Sequence, residues 1–182
     1  TLTQKVVETI LQPVVRAMAE EGMPYKGVLY AGLMIAPDGP KVLEFNARFG
    51  DPETQVILPR LQTDLLDILL AIVDNRLHQV SIHWNSDACV GVVMASGGYP
   101  GSYKIGFPIT GLDELDQGIL VFHAGTKLGE NSQILTNGGR VLTIAATAPT
   151  LAEARRKVYQ NISLIHFEGC HFRQDIAARE VN

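Results

Sequence analysis

Residues 43–55 constrain this chain most, because polar and apolar side chains alternate along the first part of the stretch. Successive side chains of a strand point to opposite faces. Glu44 and Asn46 therefore share one face, and Leu43 and Phe45 share the other. The pattern predicts a strand that carries polar chemistry on one face and packs its other face against a protein core.

The polar face suits a divalent cation. Mg²⁺ prefers oxygen ligands and completes its shell with waters and with phosphate oxygens of a substrate, so Glu44 and Asn46 are the candidate metal ligands. If the strand continues, Arg48 joins the same face, where a guanidinium can hold a phosphate or a carboxylate. A strand with one solvated face alternates in the same way, and this spacing alone does not decide between the two interpretations.

The strand is followed by a sequence that is typical of a helix start. Gly50 gives flexibility, Asp51 suits the N-cap, and Pro52 suits the first helical position. A helix N-terminus here would present free N–H groups that favour an anion. Glu53 would complement the helix dipole.

Several further blocks, taken with this one, resemble the ATP-grasp ligases and, among them, the phosphoribosylamine–glycine ligase family. The blocks follow the order of that family from one end of the chain to the other. They are Tyr25–Met34, Glu44–Gln55, Gly97–Gly101, Phe122–Lys127 and Thr136–Leu142.

The resemblance implies an α+β fold: the C-terminal lobe of an ATP-grasp domain, with antiparallel strands packed with helices, followed by a small α+β C-terminal domain. It implies a ligase for which ATP, glycine and 5-phosphoribosylamine are the substrates, acting through glycyl phosphate in purine biosynthesis. By position, Glu44 and Asn46 match the ligands of Mg²⁺ or Mn²⁺. Arg48 is the catalytic candidate that stabilises the acyl phosphate, and Asp51 and Glu53 are candidates for substrate binding.

Two departures from the family pattern matter. The chain lacks the glycine-rich segment with a lysine that cradles phosphate in this family, so we expect a C-terminal portion whose missing N-terminal lobe lies upstream or in a separate chain. We also expect no turnover by this portion alone. The segment Phe172–Ala177 ends in alanine where the family usually has glycine, and alanine fits poorly wherever φ is positive.

Composition excludes several classes of protein. With 182 residues, 46% hydrophobic and 19% charged, the chain can form an ordinary folded core. A formal net charge of −4 without a basic tract argues against nucleic acid and membrane surfaces as partners. No apolar run has the length of a membrane span, and we expect a cytoplasmic location. Cys89 and Cys170 are expected to be free thiols.

The first part of the chain predicts a helix from about Thr3 that Pro13 kinks or splits. It then predicts a hairpin of Val28–Ile35 with Lys41–Phe49, and a strongly apolar helix after Thr63 or Asp64 that must be largely buried. A polar stretch marks the domain boundary. Residues 1–80 form the metal-bearing part in this interpretation, and residues 81–182 form the C-terminal domain.

The second part predicts strands at Cys89–Ala95, Ile119–His123, Gln133–Thr136 and Arg140–Ala146. Asn137-Gly138 is a strong signal for a hairpin between the last two. Thr150 and Glu153 form a capping box at the start of a helix. The Gly97–Gly101 loop is either a tight connection or a place where a ligand approaches the backbone.

Two alternatives to the leading interpretation stay open. Another ATP-grasp carboxylate–amine ligase would keep Glu44, Asn46 and Arg48 but would differ in its carboxylate substrate. A non-catalytic module of a larger assembly would tolerate the loss of Glu44 and Asn46.

Overall fold

The computed structural model describes residues 1–181, which divide into two compact units. The first unit contains residues 1–51 and 63–83, and the second contains residues 52–62 and the chain from Trp84 onward. Both units combine helices with antiparallel strands, so the predicted α+β class is confirmed. No helix within residues 1–181 combines the length and apolarity needed to cross a bilayer.

The first unit opens with a helix that is interrupted once. Helix α1 (Leu2–Val6) and helix α2 (Gln12–Glu20) are joined by a π-helical segment, Val7–Leu11. Proline has no N–H and its ring crowds the carbonyl four residues earlier, so Pro13 cannot continue an ordinary helical ladder. The α-helical ladder is replaced by a π segment just before Pro13, but the dihedrals at Leu11 and Gln12 stay helical, so the chain is not split there.

The hairpin of the first unit carries the residues of the predicted metal site. Strand β1 (Tyr30–Ala36) pairs antiparallel with strand β2 (Gly39–Asn46). The register places Gly32 opposite Glu44, and it shifts between Gly32 and Leu33, where β2 contains an extra residue. The predicted hairpin is confirmed.

The apolar side chains of this unit are more exposed than the sequence pattern predicts. Leu43 and Phe45 keep 65% and 41% of their surface accessible, so their face of β2 is not a core within this unit. Helix α4 (Leu65–Val73) begins at Asp64, whose Oδ1 accepts the N–H of Leu66 at 2.8 Å. Only Ile68 and Ala71 of α4 are buried. The expectation of a largely buried helix is wrong, because a helix that is apolar on all sides needs neighbours on every side, and the first unit covers only one.

The second unit is built on a three-stranded antiparallel sheet. Its strands are β3 (Ala88–Ala95), β4 (Leu120–His123) and β7 (Arg140–Ala148), with β7 in the centre. Helix α5 (Leu151–Ile162) packs on this sheet and is capped by Thr150, whose Oγ1 accepts the N–H of Glu153 at 3.2 Å. The core lies between sheet and helix. It contains Val92, Met94, Leu142, Ile144, Ala154, Val158 and Ile162.

The predicted hairpin at Asn137-Gly138 is wrong. Strand β6 (Ile134–Thr136) pairs with β5 (Thr126–Leu128), a strand that the sequence pattern does not predict, and not with β7. The glycines instead allow close backbone approach, since a Cβ on Gly138 would lie 2.9 Å from the Cα of Gly125. The N–H of Asn137 donates to the carbonyl of Gly125 at 2.7 Å.

Both cysteines are free thiols, as expected. Burial raises the pKa of the Cys89 thiol, although the positive charge of Arg60 acts in the opposite direction. Burial also raises the pKa of the Cys170 thiol. Both side chains are therefore held in the weakly nucleophilic thiol form at neutral pH.

Ala177 adopts the left-handed conformation that its sequence context suggested, with φ 57°. A residue with a Cβ pays about 1–2 kcal/mol in this region, and glycine does not. We expect Ala177→Gly to raise the free energy of unfolding by about 0.5–1 kcal/mol after allowing for the extra backbone entropy of glycine. Urea denaturation followed by circular dichroism measures this change.

Ala178→Gly is the matched control, because Ala178 lies in the following 3₁₀ turn and is not among the positive-φ residues. This control should leave the stability unchanged or lower it. A free energy of unfolding for Ala177→Gly that is no higher than that of Ala178→Gly would contradict the strain argument.

Candidate functional site

The predicted metal ligands lie together on one face of the hairpin. The side-chain amide of Asn46 donates through Nδ2 to Oε1 of Glu44 at 2.9 Å. Two residues of a strand that are two positions apart can interact in this way only when they share a face. The shared face that the sequence predicts is therefore present, and the alternation in the sequence is sufficient to find it.

The hydrogen bond uses Nδ2 of Asn46 and Oε1 of Glu44 and leaves the amide oxygen of Asn46 outside it. Because the amide nitrogen of Asn46 faces the carboxylate, its carbonyl oxygen Oδ1 is the atom that a cation can share with Glu44. Glu44 is exposed and Asn46 is half-buried, so the pair is accessible from solvent. One charged and one neutral oxygen donor suit a hard cation that brings further oxygen ligands with it.

The pair is not a complete metal cage. Nowhere in residues 1–181 do three or more His, Cys, Asp or Glu side chains form a group that could hold a metal ion. A cation at Glu44 and Asn46 would take the rest of its shell from water and from a bound ligand. This donor set fits a metal that arrives with phosphate oxygens.

Gly32 is a part of this site that the sequence interpretation missed. It lies opposite Glu44 on β1, and a Cβ at this position would come within 3.1 Å of Cγ of Glu44. Gly32 therefore leaves the space into which the Glu44 side chain extends. The signal was available in the sequence, because a glycine inside a strand pattern often marks a bulge or a close approach.

Arg48 lies outside the strand. Strand β2 ends at Asn46, so the alternation of faces does not extend to Arg48. Its guanidinium is exposed and donates from Nη1 to the carbonyl of Phe49 at 3.1 Å. Arg48 therefore does not share the strand face of Glu44. Its position depends on the bend that follows the strand.

The acidic residues after the strand belong to a turn. Asp51 is exposed and is the last residue of the first stretch of the first unit, whereas Glu53 belongs to the second unit. Helix α3 (Thr54–Ile57) begins two residues later than expected, with Glu53 at its N-cap position and no cap hydrogen bond from the Glu53 side chain. With four residues, α3 is about one helical turn long.

We expect Gly32→Ala to weaken Mn²⁺ binding at Glu44 about tenfold, because the new methyl group displaces the predicted metal ligand by a few tenths of an ångström. Broadening of the backbone amide signals of residues 43–47 by Mn²⁺ measures the affinity. Ala31→Val, on the neighbouring position of β1 and the opposite face, is the control and should bind as the unchanged chain does. Equal broadening in Gly32→Ala would contradict the positioning role.

The family models match most of the chain in two segments. The model of the ATP-grasp (A) domain of phosphoribosylglycinamide synthetase matches residues 1–54, and the model of the C domain of the same enzyme matches residues 89–179. Gly32, Glu44 and Asn46 of the hairpin lie within the first match, and so does Arg48.

Individual relatives agree with these matches. A phosphoribosylamine–glycine ligase of Caldanaerobacter subterraneus is 52% identical over 96% of this chain, and that of Escherichia coli K12 is 49% identical over 98%. The crystal structure of phosphoribosylamine–glycine ligase from Thermotoga maritima matches 95% of this chain with a TM-score of 0.83 at 36% identity. The chain spans 41–42% of the length of these proteins.

Proposed function

Because this chain belongs to the phosphoribosylglycinamide synthetase family, we propose that it is the C-terminal portion of a ligase that joins glycine to 5-phosphoribosylamine at the expense of ATP. Residues 1–80 carry the metal-bearing end of the ATP-grasp domain in this proposal, and residues 81–182 form the C-terminal domain. The two family matches, over residues 1–54 and 89–179, support this division.

The proposed reaction has two steps. A carboxylate oxygen of glycine attacks the γ-phosphorus of ATP, the bond to the β-phosphate oxygen breaks, and ADP leaves. The amine of 5-phosphoribosylamine then attacks the carbonyl carbon of glycyl phosphate, phosphate leaves, and glycinamide ribonucleotide forms after the amine loses a proton.

One observation carries the proposal: Glu44 and Asn46, joined at 2.9 Å, lie on one exposed face within the segment that matches the ATP-grasp domain. We propose that these two side chains hold Mg²⁺ or Mn²⁺. The metal, when bound, would offset the charge of the terminal phosphates of ATP. Since two protein ligands alone bind such an ion weakly, we expect metal and nucleotide to bind with positive coupling.

The remaining site residues have roles that follow from their charge. Arg48 is the proposed catalytic residue, because an exposed guanidinium can donate to phosphoryl oxygens as negative charge develops there. Its hydrogen bond to the Phe49 carbonyl uses one of five N–H donors and leaves the planar fork able to bind an anion. Asp51 and Glu53 are the proposed contacts to a substrate amine.

We expect Glu44→Gln combined with Asn46→Ala to abolish site-specific Mn²⁺ binding. The substitution removes the charged ligand and the neutral one together. Paramagnetic broadening of amide signals detects even millimolar affinity, so the isolated chain is adequate for this measurement. Signals of residues 43–47 should broaden first in the unchanged chain and should lose that preference in the variant.

Asp38→Asn is the matched control, because it also removes one negative charge from the same hairpin. Asp38 is exposed at the turn and pairs with Lys41 at 2.7 Å. Broadening that persists around residues 43–47 in the double variant, or that is lost equally in Asp38→Asn, would contradict the assignment of the metal ligands.

We expect the isolated 182-residue chain to show no glycine-dependent hydrolysis of ATP. The phosphate-cradling segment with its lysine is not among these residues, and electrostatic stabilisation of the γ-phosphoryl group requires such donors. A coupled assay for ADP, with and without glycine, measures this activity. Robust turnover by the purified chain would overturn the proposal that it holds only part of the site.

Attaching the chain to the N-terminal part of a relative distinguishes the substrates. Glycine should stimulate ADP release in the chimaera far more than alanine or other small carboxylates do. Stimulation by a different carboxylate would favour another ATP-grasp ligase. Full activity of the chimaera with Glu44→Gln and Asn46→Ala would favour a non-catalytic module.

A further inference from the structure

Asn137-Gly138 is a pair of residues whose expected role, a hairpin turn, the structure does not contain. It is the only asparagine–glycine pair in the sequence. It directly follows β6, and β7 begins at Arg140. The pair also has a chemical property, because glycine leaves the backbone nitrogen next to the asparagine without a side chain to shield it.

Both groups that could react with one another are accessible. Asn137 is exposed, and its side-chain amide has no hydrogen-bond partner among residues 1–181. The N–H of Gly138 has no partner within that part of the chain either. The electrophilic carbon Cγ of Asn137 and the nitrogen of Gly138 are therefore not withdrawn into hydrogen bonds.

The other asparagines up to residue 181 lack this combination, since each precedes a residue with a side chain. Asn161 is buried, and Oδ1 of Asn85 accepts the N–H of Asp87 at 3.0 Å. Asn131 is exposed like Asn137, but Ser132 places a Cβ beside the nitrogen that would attack. Asn131 is therefore the internal comparison for Asn137.

The backbone is anchored on both sides of the bond between Asn137 and Gly138. Before the bond, the N–H of Asn137 donates to the carbonyl of Gly125 at 2.7 Å. After the bond, the carbonyl of Gly138 accepts the hydroxyl of Ser96 at 2.8 Å, and the N–H of Ser96 donates to the carbonyl of Gly139 at 2.8 Å. Ser96 is buried, so the loss of these bonds would leave polar groups without partners inside the fold.

The space beside this bond is filled by backbone. A Cβ on Gly138 would lie 2.9 Å from Cα of Gly125, and a Cβ on Gly125 would lie 2.6 Å from Cα of Gly138. The two glycines therefore touch. An additional main-chain atom between the anchors has no room unless one of the anchors moves.

We propose that Asn137 is a site of spontaneous deamidation, and that the isoaspartate formed there breaks an anchor of this loop. The nitrogen of Gly138 attacks Cγ of Asn137 and forms a cyclic imide. The bond between Cγ and Nδ2 breaks, and water carries the proton of the Gly138 N–H to the nitrogen that leaves as ammonia. A second water opens the imide, at Cγ to give aspartate or at the main-chain carbonyl carbon to give isoaspartate.

The two products differ in their effect on the fold. Aspartate leaves the main chain unchanged and adds an exposed negative charge. Isoaspartate directs the main chain through the former side-chain carbon, so one more carbon lies between the anchor at Gly125 and the anchor at Ser96. At least one of these hydrogen bonds is then lost. This modification does not depend on the proposed ligase activity.

Ageing of the purified chain in warm, mildly alkaline buffer tests the site. Fragment-ion mass spectrometry distinguishes Asn137 from Asn131, which share the tryptic peptide between Lys127 and Arg140. Asn137 should gain the mass difference between an amide and an acid about tenfold faster than Asn131, because no side chain hinders the attack. Asn137→Gln should suppress this conversion, since its longer side chain must close a larger ring.

An isoaspartyl methyltransferase with a labelled methyl donor identifies the isoaspartate. The label should appear in the peptide that contains residue 137. Asp38-Gly39 can form the same imide with loss of water, but it lies in a different tryptic peptide, so its label is counted separately.

Amide spectra of the ¹⁵N-labelled chain test the structural consequence. The aged chain should show new signals for the amides of Ser96 and residue 137, because their N–H groups donate in the two anchors. Asn137→Asp is the matched control, since it carries the charge of the product without the additional main-chain carbon. It should keep these two signals close to their original positions.

Any of three results would overturn the proposal. The first is an Asn137 that stays unchanged in the folded chain but converts in the chain unfolded by urea. The second is conversion of Asn137 and Asn131 at equal rates. The third is an aged sample that contains isoaspartate but gives the same Ser96 and residue 137 signals as Asn137→Asp.

Discussion

Strand β7 is the element on which the second unit depends, because it pairs along both of its edges. Val141, Leu142 and Ile144 of this strand are fully buried in the core that includes helix α5, and Ala145 is fully buried as well. Strand β3 pairs with most of β7 and strand β4 pairs with Leu142–Ala145, so these apolar residues leave water with their backbone groups hydrogen-bonded.

The first unit depends on the register of a single hairpin. Gly32 opposite Glu44, and Tyr30 opposite Asn46, bring the carboxylate and the amide to one face. A slip by one residue would move both side chains to the other face. The pairing of the two strands therefore positions both side chains of the proposed metal site.

Local sequence patterns predicted the structural features that depend on residues close together in the chain. Alternation at Leu43–Asn46, the capping residues Asp64 and Thr150, and the interruption at Pro13 each act within one or two turns, and the structure contains all of them. Ala177 shows that a single departure from a family pattern can identify a strained backbone position.

Features that depend on contacts between distant parts of the chain could not be predicted from local sequence patterns. Gly138 contacts the backbone of Gly125, so a dipeptide that usually makes a hairpin serves another purpose here. The burial of α4 could not be inferred from its own apolar residues, because burial requires a neighbour.

The exposed apolar side chains of the first unit should make any self-association of the chain depend on temperature. Val73, Leu66 and Leu43 each leave more than 60% of their surface in contact with water. Transfer of such groups out of water is driven by entropy near 25 °C and weakens on cooling. Self-association through these side chains should therefore be promoted by warming and reversed in the cold.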